Sequence, residues 1–397
     1  MSRPERAATP RRGLATDAIH GGETRPRPHN AITTPIFQTA TYVFADTAEL
    51  TRHMSREAER EEYGRYGNPT QDVLEKKCAA LEGAEAGLAF ASGMAAVTTA
   101  LLAVLKAGQH VVLTDDCYRR TRQFCLAVLN KFGVEVSVVA AGSSETIEAA
   151  VRPNTRVLIS ESPTNPYNKI IDLSRIGDIG RRHRLITIID STFATPVNQR
   201  PLEHGIDLVL HSATKYLAGH NDVMGGIILG TSAMIDAVRD CQGILGGIID
   251  PHAAYLILRG LKTLPLRVER QNASALRIAE MLAAHPRVER VHYAGLRDHP
   301  GHDIAVKQMK GFGGVISFEL RGDLDDTSRV VDAARIFQIA PSLGGVESLI
   351  EQPALMSFYE LSTEERLAIG IKNNLIRLSI GLEDPDDLID DLRHAIG

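Results

Sequence analysis

The architecture of this chain follows from one stretch, RVLISESPTNPYNKIIDLSRIGDIGRRHRLITIID (residues 156–190). It begins and ends with short apolar runs, RVLIS (156–160) and ITIID (186–190), that are rich in β-branched residues. Neither run alternates between polar and apolar residues, which is typical of strands buried on both faces. A helical stretch separates them. Because two buried strands joined through a helix form the unit of a parallel sheet, the sequence predicts an α/β protein.

Runs of the same kind recur on both sides of this stretch. They are GLAF (87–90), HVVLT (110–114), VEVSVV (134–139), LVLHS (208–212) and GIILG (226–230). Helical patterns lie between many of them, including one over 72–83 that Gly83 ends and one over 94–108 that Gly108 ends. We therefore expect a largely parallel sheet.

The pattern changes after Gly247. Residues 253–286 have a helical pattern with a break near Pro265, and three strand candidates follow at 314–320, 336–340 and 375–381. We expect three parts: an N-terminal arm (1–62), a main domain (63–254) and a smaller C-terminal α/β domain (255–397). The first dozen residues are polar and are expected to lack fixed structure.

Composition excludes several classes of protein. A net charge of −5 over 397 residues gives no general attraction to nucleic acid or anionic lipid. The four cysteines form no CxxC pair and no zinc spacing, so neither a disulfide scaffold nor a metal site is expected. There is no export signal and no apolar run of about 18 residues. The sequence predicts a cytoplasmic protein with no membrane or nucleic-acid partner.

The strand ends carry the chemistry, because ligands of open α/β sheets bind beyond the carboxyl ends of the strands. Ser92-Gly93-Met94 follows GLAF, and Glu161 to Pro166 follow RVLIS. Asp190 ends ITIID, and Ala213-Thr214-Lys215 follows LVLHS. We expect these groups to converge on one crevice.

Read singly, these groups differ in specificity. Ser92-Gly93 before a helix offers N–H groups to a phosphate, but the same pair is common as ordinary capping. Asp190 equally caps a turn in many proteins. Lys215, between a buried strand and a glycine-rich stretch, is more specific, because a desolvated lysine has a lowered pKa and can form a Schiff base.

Together these residues predict a cofactor. Pyridoxal 5′-phosphate (PLP) requires a lysine for its aldehyde, a carboxylate for its pyridine nitrogen, donors for its phosphate and a ring to stack on. Lys215, Asp190, the helix start at Gly93 and Tyr118, in the loop after HVVLT, match these needs. A nucleotide site is not favoured, since the chain has no GxxxxGK[ST] motif and no GxGxxG after a strand.

Several motifs then occur in the order typical of one enzyme family. They are Tyr63-Gly64-Arg65 with Asn68-Pro69-Thr70, SGMAA (92–96), ESPTNP (161–166), DSTFATP (190–196), HSATKYLAGHNDV (211–223) and SLGGVESL (342–349). From about Ala31 to its end the chain resembles the Cys/Met-metabolism PLP enzymes. The resemblance implies the fold of type I PLP-dependent transferases: a mostly parallel seven-stranded sheet with helices on both faces in a PLP-binding domain (63–254), plus the smaller C-terminal domain.

The resemblance also assigns roles. Lys215 resembles the Schiff-base lysine and proton shuttle, Asp190 the partner of the pyridine nitrogen, and Tyr118 the stacking ring and an acid/base. The implied phosphate ligands are Gly93, Met94, Ser212 and Thr214, with Tyr63 and Arg65 from the neighbouring subunit. The implied substrate residues are Arg377, Ser342 and Asn165, of which Asn165 also lies against the cofactor. Chemistry agrees for Arg377, because a guanidinium matches a carboxylate bidentately.

Within the family, DCYR (116–119), EYGRYGNPT (62–70), APSLGG (340–345) and EQPALMS (351–357) resemble plant-type cystathionine γ-synthases. This implies replacement of the γ-substituent of an O-activated homoserine by L-cysteine. Arg119 and Arg120 stand where many members have two glycines; they suit an anionic leaving group such as phosphate or succinate, or simply face solvent.

Alternatives remain open at this point. A γ-lyase acting on cystathionine or methionine uses the same residues, and related synthases use sulfide or another nucleophile. A non-catalytic protein that keeps the fold is the remote alternative. Since Tyr63 and Arg65 are expected to reach a neighbouring site, the resemblance implies a homodimer with shared active sites, assembled as a tetramer, acting on small-molecule amino acids.

Overall fold

A computed structural model describes residues 12–23, 26–58 and 60–397. The prediction for the first dozen residues therefore falls, apart from Arg12, outside the described residues. The strands are β1 (Ala86–Phe90), β2 (His110–Thr114), β3 (Glu135–Val139), β4 (Thr155–Glu161), β5 (Ile186–Asp190), β6 (Leu208–His211), β7 (Gly226–Gly230), β8 (Val288–His292), β9 (Val315–Leu320), β10 (Gln338–Ile339), β11 (Leu349–Glu351) and β12 (Leu375–Ser379).

Helices connect most of these strands. They are α1 (Leu14–His20), α2 (Thr47–Met54), α3 (Pro69–Glu82), α4 (Gly93–Val104), α5 (Arg119–Gln123), α6 (Ser144–Ala149), α7 (Leu173–His183), α8 (Thr195–Asn198), α9 (Ser232–Leu245), α10 (Pro251–Leu261), α11 (Leu264–Ala283), α12 (His302–Gln308), α13 (Leu324–Ala333), α14 (Thr363–Ala368) and α15 (Pro385–Ile396). A π-helical segment, Phe124–Leu129, continues α5.

The main sheet has seven strands in the order β1-β7-β6-β5-β4-β2-β3. The strands β3, β2, β4, β5 and β6 pair in parallel, and β7 is antiparallel to both of its neighbours, β6 and β1. The predicted mostly parallel α/β sheet is confirmed. Because β1 runs in the same direction as β4, β5 and β6, the carboxyl ends of these four strands lie along one edge.

Apolar side chains on both faces hold this sheet between helices. In β6, Leu208 and Leu210 pack on the side of α4 and α9, whereas Val209 packs on the side of α3 and α10. Both sets are completely or almost completely buried. A strand covered on both faces gains nothing from polar alternation, which explains the continuous β-branched runs in the sequence.

Two local predictions have different outcomes. The helix α3 ends at Glu82, and Gly83 follows with φ +78°, the left-handed cap expected of glycine. The helix predicted over 94–108 is too long, because α4 stops at Val104 and Leu105 is extended. Gly108, with φ +81°, instead forms the turn that leads into β2.

The C-terminal region forms a second sheet in the order β10-β11-β12-β9-β8. It is mostly antiparallel, with β12 between β11 and β9. The predicted break in the long helical region is present, since α10 ends at Leu261 and Pro265 lies in the first turn of α11. The division at residue 254 stays a prediction; α10 runs across that position. Among the described residues, no helix combines the length and apolar character that crossing a bilayer requires.

Candidate active site

Lys215 lies in the turn after β6, and the fold directs its amine at the C-terminal region. Its backbone N–H donates to Ser212 O at 3.1 Å, which fixes the turn. Its Nζ donates to Ser342 Oγ at 2.6 Å. Burial, and to a smaller extent the nearby guanidinium of Arg377, lower the pKa of the Lys215 amine to about 8. The amine is therefore partly neutral near physiological pH, as a base or nucleophile must be.

Arg377, in the middle of β12, is 4% exposed. Its Nη1 donates to Asn165 Oδ1 at 3.1 Å, and its Nη2 donates to Ser342 O at 3.0 Å. The buried Nε has no hydrogen-bond partner among the described residues. An unpaired guanidinium donor in this position is what an α-carboxylate would complete.

Ser342 joins the lysine to the arginine. Its hydroxyl accepts from Lys215 and its carbonyl accepts from Arg377, so the amine and the guanidinium are anchored on one residue. Its φ is +95°, a conformation that costs a non-glycine residue roughly 1–3 kcal/mol. The sequence places Lys215, Arg377, Asn165 and Ser342 in one predicted site, and the structure links them by hydrogen bonds from Lys215 to Ser342 and from Arg377 to Ser342 and Asn165.

Asp190, the last residue of β5, is held by the residue two positions on. Its Oδ1 accepts hydrogen bonds from the backbone N–H and the hydroxyl of Thr192. Burial raises the pKa of its carboxyl, although the Thr192 hydrogen bonds act in the other direction. Its Oδ2 has no hydrogen-bond partner among the described residues, so one oxygen is available to a ligand cation.

Glu161, at the end of β4, is a buried acid without a predicted role of its own. It pairs directly with Asp190 across β4 and β5, and its Oε2 accepts the backbone N–H of Tyr118 at 2.8 Å. Burial raises the pKa of the Glu161 carboxyl well above its usual range, and the charge of Asp190 raises it further. Glu161 therefore fixes the backbone that carries Tyr118, whose side chain is 44% exposed and accessible for stacking.

The predicted phosphate ligands lie at the start of α4. Ser92 caps this helix by accepting from Ala95 N–H at 3.1 Å, and no described residue accepts from the N–H groups of Gly93 or Met94. A Cβ on Gly93 would lie 3.0 Å from Ser212 Cβ, so glycine keeps this space open. The hydroxyl of Thr214 is engaged with Gly225 and would have to turn to reach a phosphate.

The contacts described for the Tyr63 and Arg65 side chains are with aromatic rings of their own segment and not with this cradle. The Arg65 guanidinium stacks 5.1 Å from the rings of both Tyr63 and Tyr66 and donates to the Tyr66 hydroxyl at 3.2 Å. Tyr66 in turn lies against Gly243, near the carboxyl end of α9. The side chains of Tyr63 and Arg65 are both exposed. Their predicted action in a neighbouring subunit stays a prediction.

The residues present fit PLP. The start of α4 offers unpaired N–H groups to a phosphate, Asp190 has a free carboxylate oxygen, Lys215 has a lowered pKa and Tyr118 offers a ring. A family model described as "Cys/Met metabolism PLP-dependent enzyme" matches residues 15–397. The chain belongs to this family. As a Cys/Met-metabolism PLP-dependent enzyme, it takes PLP as its cofactor and acts on small-molecule substrates.

Similar proteins include both synthases and lyases. The chain is 50% identical to cystathionine gamma-synthase 1, chloroplastic, of Nicotiana tabacum, over 96% of this chain and 71% of the tobacco protein. It is 43% identical to cystathionine gamma-lyase of Bacillus subtilis, over 95% of this chain and 97% of the relative. The crystal structure of metB from Corynebacterium glutamicum superposes with a TM-score of 0.92 at 39% identity, covering 97% of this chain and 98% of that one.

Two buried acids received no individual role from the sequence. Glu161 follows the run RVLIS and opens the motif ESPTNP, and Glu351 ends β11 and opens the motif EQPALMS. Their motifs were identified, but the contacts of their carboxylates were not predicted. Beside the site, a cavity of about 870 Å³ is lined by residues of both the main sheet region and the C-terminal region, and its lining includes Asn165 and Cys117.

Proposed function

We propose that this enzyme is a cystathionine γ-synthase: it replaces the γ-substituent of an O-activated homoserine by the thiolate of L-cysteine and so forms L-cystathionine. The observation that supports an α-amino acid substrate most directly is the pairing of Lys215 and Arg377 on Ser342. A base and a carboxylate receptor at fixed separation suit a substrate in which one carbon carries the carboxylate and the proton to be removed.

Each residue has a defined task in this proposal. Arg377, through Nε and one Nη, binds the α-carboxylate with help from Asn165. PLP, when bound, withdraws electrons from the substrate carbon, and the Asp190 carboxylate keeps its pyridine nitrogen protonated. Tyr118 stacks on the cofactor and is held in place through its backbone by Glu161.

Lys215 moves the protons. The neutral amine takes the proton from Cα and has to release it before it can take a proton from Cβ, because an ammonium group has no free electron pair; the electron-accepting group that PLP would supply could hold this first proton. The γ-substituent then leaves with the electrons of its C–O bond. The cysteine sulfur then forms a bond to Cγ, and the two protons return to Cβ and Cα. One flexible amine within reach of both carbons is sufficient for these steps. Its pKa of about 8 lets it both accept and return protons at neutral pH.

Two features favour replacement over elimination. The chain is 49–50% identical to two plant cystathionine gamma-synthases, 43% identical to a probable third one, and 41–43% identical to lyases of the family. Arg119 and Arg120 suit an anionic leaving group, although both face Glu360 in the single chain, at 3.4 and 3.9 Å. A γ-lyase activity remains the second candidate, because the similarity to the cystathionine gamma-lyase of Bacillus subtilis extends over 95% of this chain.

Product identification separates the two candidates. Purified holoenzyme is incubated with the phosphate, succinate and acetate esters of homoserine, each with and without L-cysteine, and the products are identified by mass. Cystathionine formed without 2-oxobutanoate is the expected result. Cleavage of added cystathionine to cysteine and 2-oxobutanoate, with no synthesis from any ester, would assign the γ-lyase instead.

A further inference from the structure

Glu351 is a buried carboxylate beside the candidate substrate site to which the proposed reaction gives no task. It ends β11 and lies directly opposite Arg377 in the antiparallel pairing of β11 with β12. Glu351 is 2% exposed, and its Oε1 lies 3.0 Å from Nη2 of Arg377. Since directly opposed residues of an antiparallel pair project from the same face, the two side chains form a fixed pair.

The Glu351 carboxylate has no hydrogen bonds. Neither Oε1 nor Oε2 has a hydrogen-bond partner among the described residues, and the approach of Arg377 is an ion pair without hydrogen-bond geometry. Burying a carboxylate in this way is costly, and an apolar side chain would suit a strand position in a packed sheet better. The charge itself therefore needs an explanation.

Arg377 does not depend on Glu351 for its position. The carbonyl of Ser342 and the amide oxygen of Asn165 already hold its two Nη atoms. What Glu351 adds is a negative charge at contact distance from the guanidinium. A substrate α-carboxylate arriving at Nε would be the second anion on the same cation, and the two anions would repel each other.

We propose that Glu351 lowers the affinity of Arg377 for α-carboxylates. Its negative charge would let substrate and product exchange at the site. This inference rests on the proposed function only in taking Arg377 as the α-carboxylate receptor. Burial raises the pKa of the Glu351 carboxyl, whereas the two cations that face it, Arg377 from β12 and Lys215 from the turn after β6, lower that pKa and so favour the charged form. Arg377 lowers the pKa of the Lys215 amine and Glu351 raises it, so the charge of Glu351 acts on the amine as well as on the guanidinium.

The test compares Glu351→Gln with the wild-type holoenzyme, using n-butyrate and n-butyramide as competitive inhibitors. Glutamine keeps the shape and removes the charge, so the inhibition constant for n-butyrate is expected to fall by roughly tenfold. The constant for uncharged n-butyramide is expected to stay the same. Glu351→Asp, which keeps the charge, should bind n-butyrate as the wild type does. Glu347→Gln, at an exposed position of the same segment, is the matched control.

Binding of n-butyrate that is unchanged or weaker in Glu351→Gln overturns the proposal, as does an equal change for both inhibitors. Absence of n-butyrate binding in both proteins also overturns it, whereas binding that appears only in the variant supports it. Formation of cystathionine by the wild type is scored separately. Its absence would remove the proposed γ-replacement and leave the inhibitor comparison intact.

Discussion

Lys215 is the side chain on which the proposed chemistry depends, and its environment leads to a measurable prediction. Because burial and Arg377 lower the pKa of its amine to about 8, the cofactor-free protein should react with a neutral amine reagent such as fluorodinitrobenzene at neutral pH. The rate at Lys215, followed by mass spectrometry of its peptide, is expected to reach half its maximum near pH 8. Exposed Lys307 in the same digest is the reference. A midpoint above pH 10 at Lys215 would contradict the assignment.

Glu161 gives a second prediction at this level. Because burial raises the pKa of the Glu161 carboxyl well above its usual range, an uncharged side chain at this position should also accept the Tyr118 N–H, and Glu161→Gln should keep activity close to that of the wild type. Glu161→Ala leaves that N–H without its partner and should lower kcat/KM by roughly tenfold or more. Equal losses in both variants would show that the ionised carboxylate is required.

The raised pKa of Glu161 also determines how stability varies with pH. A carboxyl whose pKa is higher in the folded than in the unfolded state contributes full stability below its ordinary value of 4.5 and loses it as the pH rises through the folded value. Glutamine does not ionise. In urea unfolding, Glu161→Gln and the wild type should therefore respond alike near pH 4, and the variant should become relatively more stable as the pH rises. If the difference in free energy of unfolding between the two proteins stays constant with pH, the pKa of Glu161 is not shifted in the folded state.

Among the secondary-structure elements, the amino end of α4 offers the clearest test, because position 93 has little room for any side chain. Gly93→Ala places a Cβ 3.0 Å from Ser212 Cβ, in the space next to the unpaired N–H groups. Overpacking of this kind is expected to weaken PLP binding by roughly tenfold, measured from the visible absorbance of the reconstituted enzyme. Gly13→Ala, where a Cβ has no neighbour within 4 Å, is the control. Unchanged affinity in Gly93→Ala would remove this helix start from the phosphate site.

The elements that sequence predicts best are those with the strongest patterns. The bounds of β2, β5 and β7 match the predicted runs, because β-branched residues buried on both faces leave a continuous signal. Two strands were missed. Residues of β8 (VERVH) are charged and half-exposed at the edge of the second sheet, and β11 has only three residues. In both, pairing with a neighbouring strand, and not local pattern, determines the strand.

The same holds for the site: the sequence predicts the residues that follow a strong local pattern, and it does not predict those whose role depends on distant contacts. Lys215, Asp190 and the start of α4 follow buried strands, so the sequence places them correctly at the sheet edge. Glu161 and Glu351 depend on partners elsewhere in the chain, Tyr118 at 43 positions away and Arg377 on a neighbouring strand. No local pattern carries that information.

For the whole molecule, the roles predicted for the exposed Tyr63 and Arg65 would make subunit assembly a requirement for activity. If they complete the phosphate site of a neighbouring subunit, a Lys215→Ala chain and an Arg65→Ala chain are each inactive alone. A mixed dimer contains one site that combines the intact residues of both chains, so mixing and reassembly should restore part of the activity. Mixed dimers that are shown to form and remain inactive would contradict shared sites.

The reaction proposed here requires a covalent bond between the Lys215 amine and the PLP aldehyde. The most direct measurement is borohydride reduction of the PLP-loaded enzyme, followed by digestion and mass spectrometry. We expect one reduced cofactor mass on the peptide that contains Lys215 and none after Lys215→Ala. A colourless enzyme after incubation with PLP, or a label on a different lysine, would contradict the account of this site.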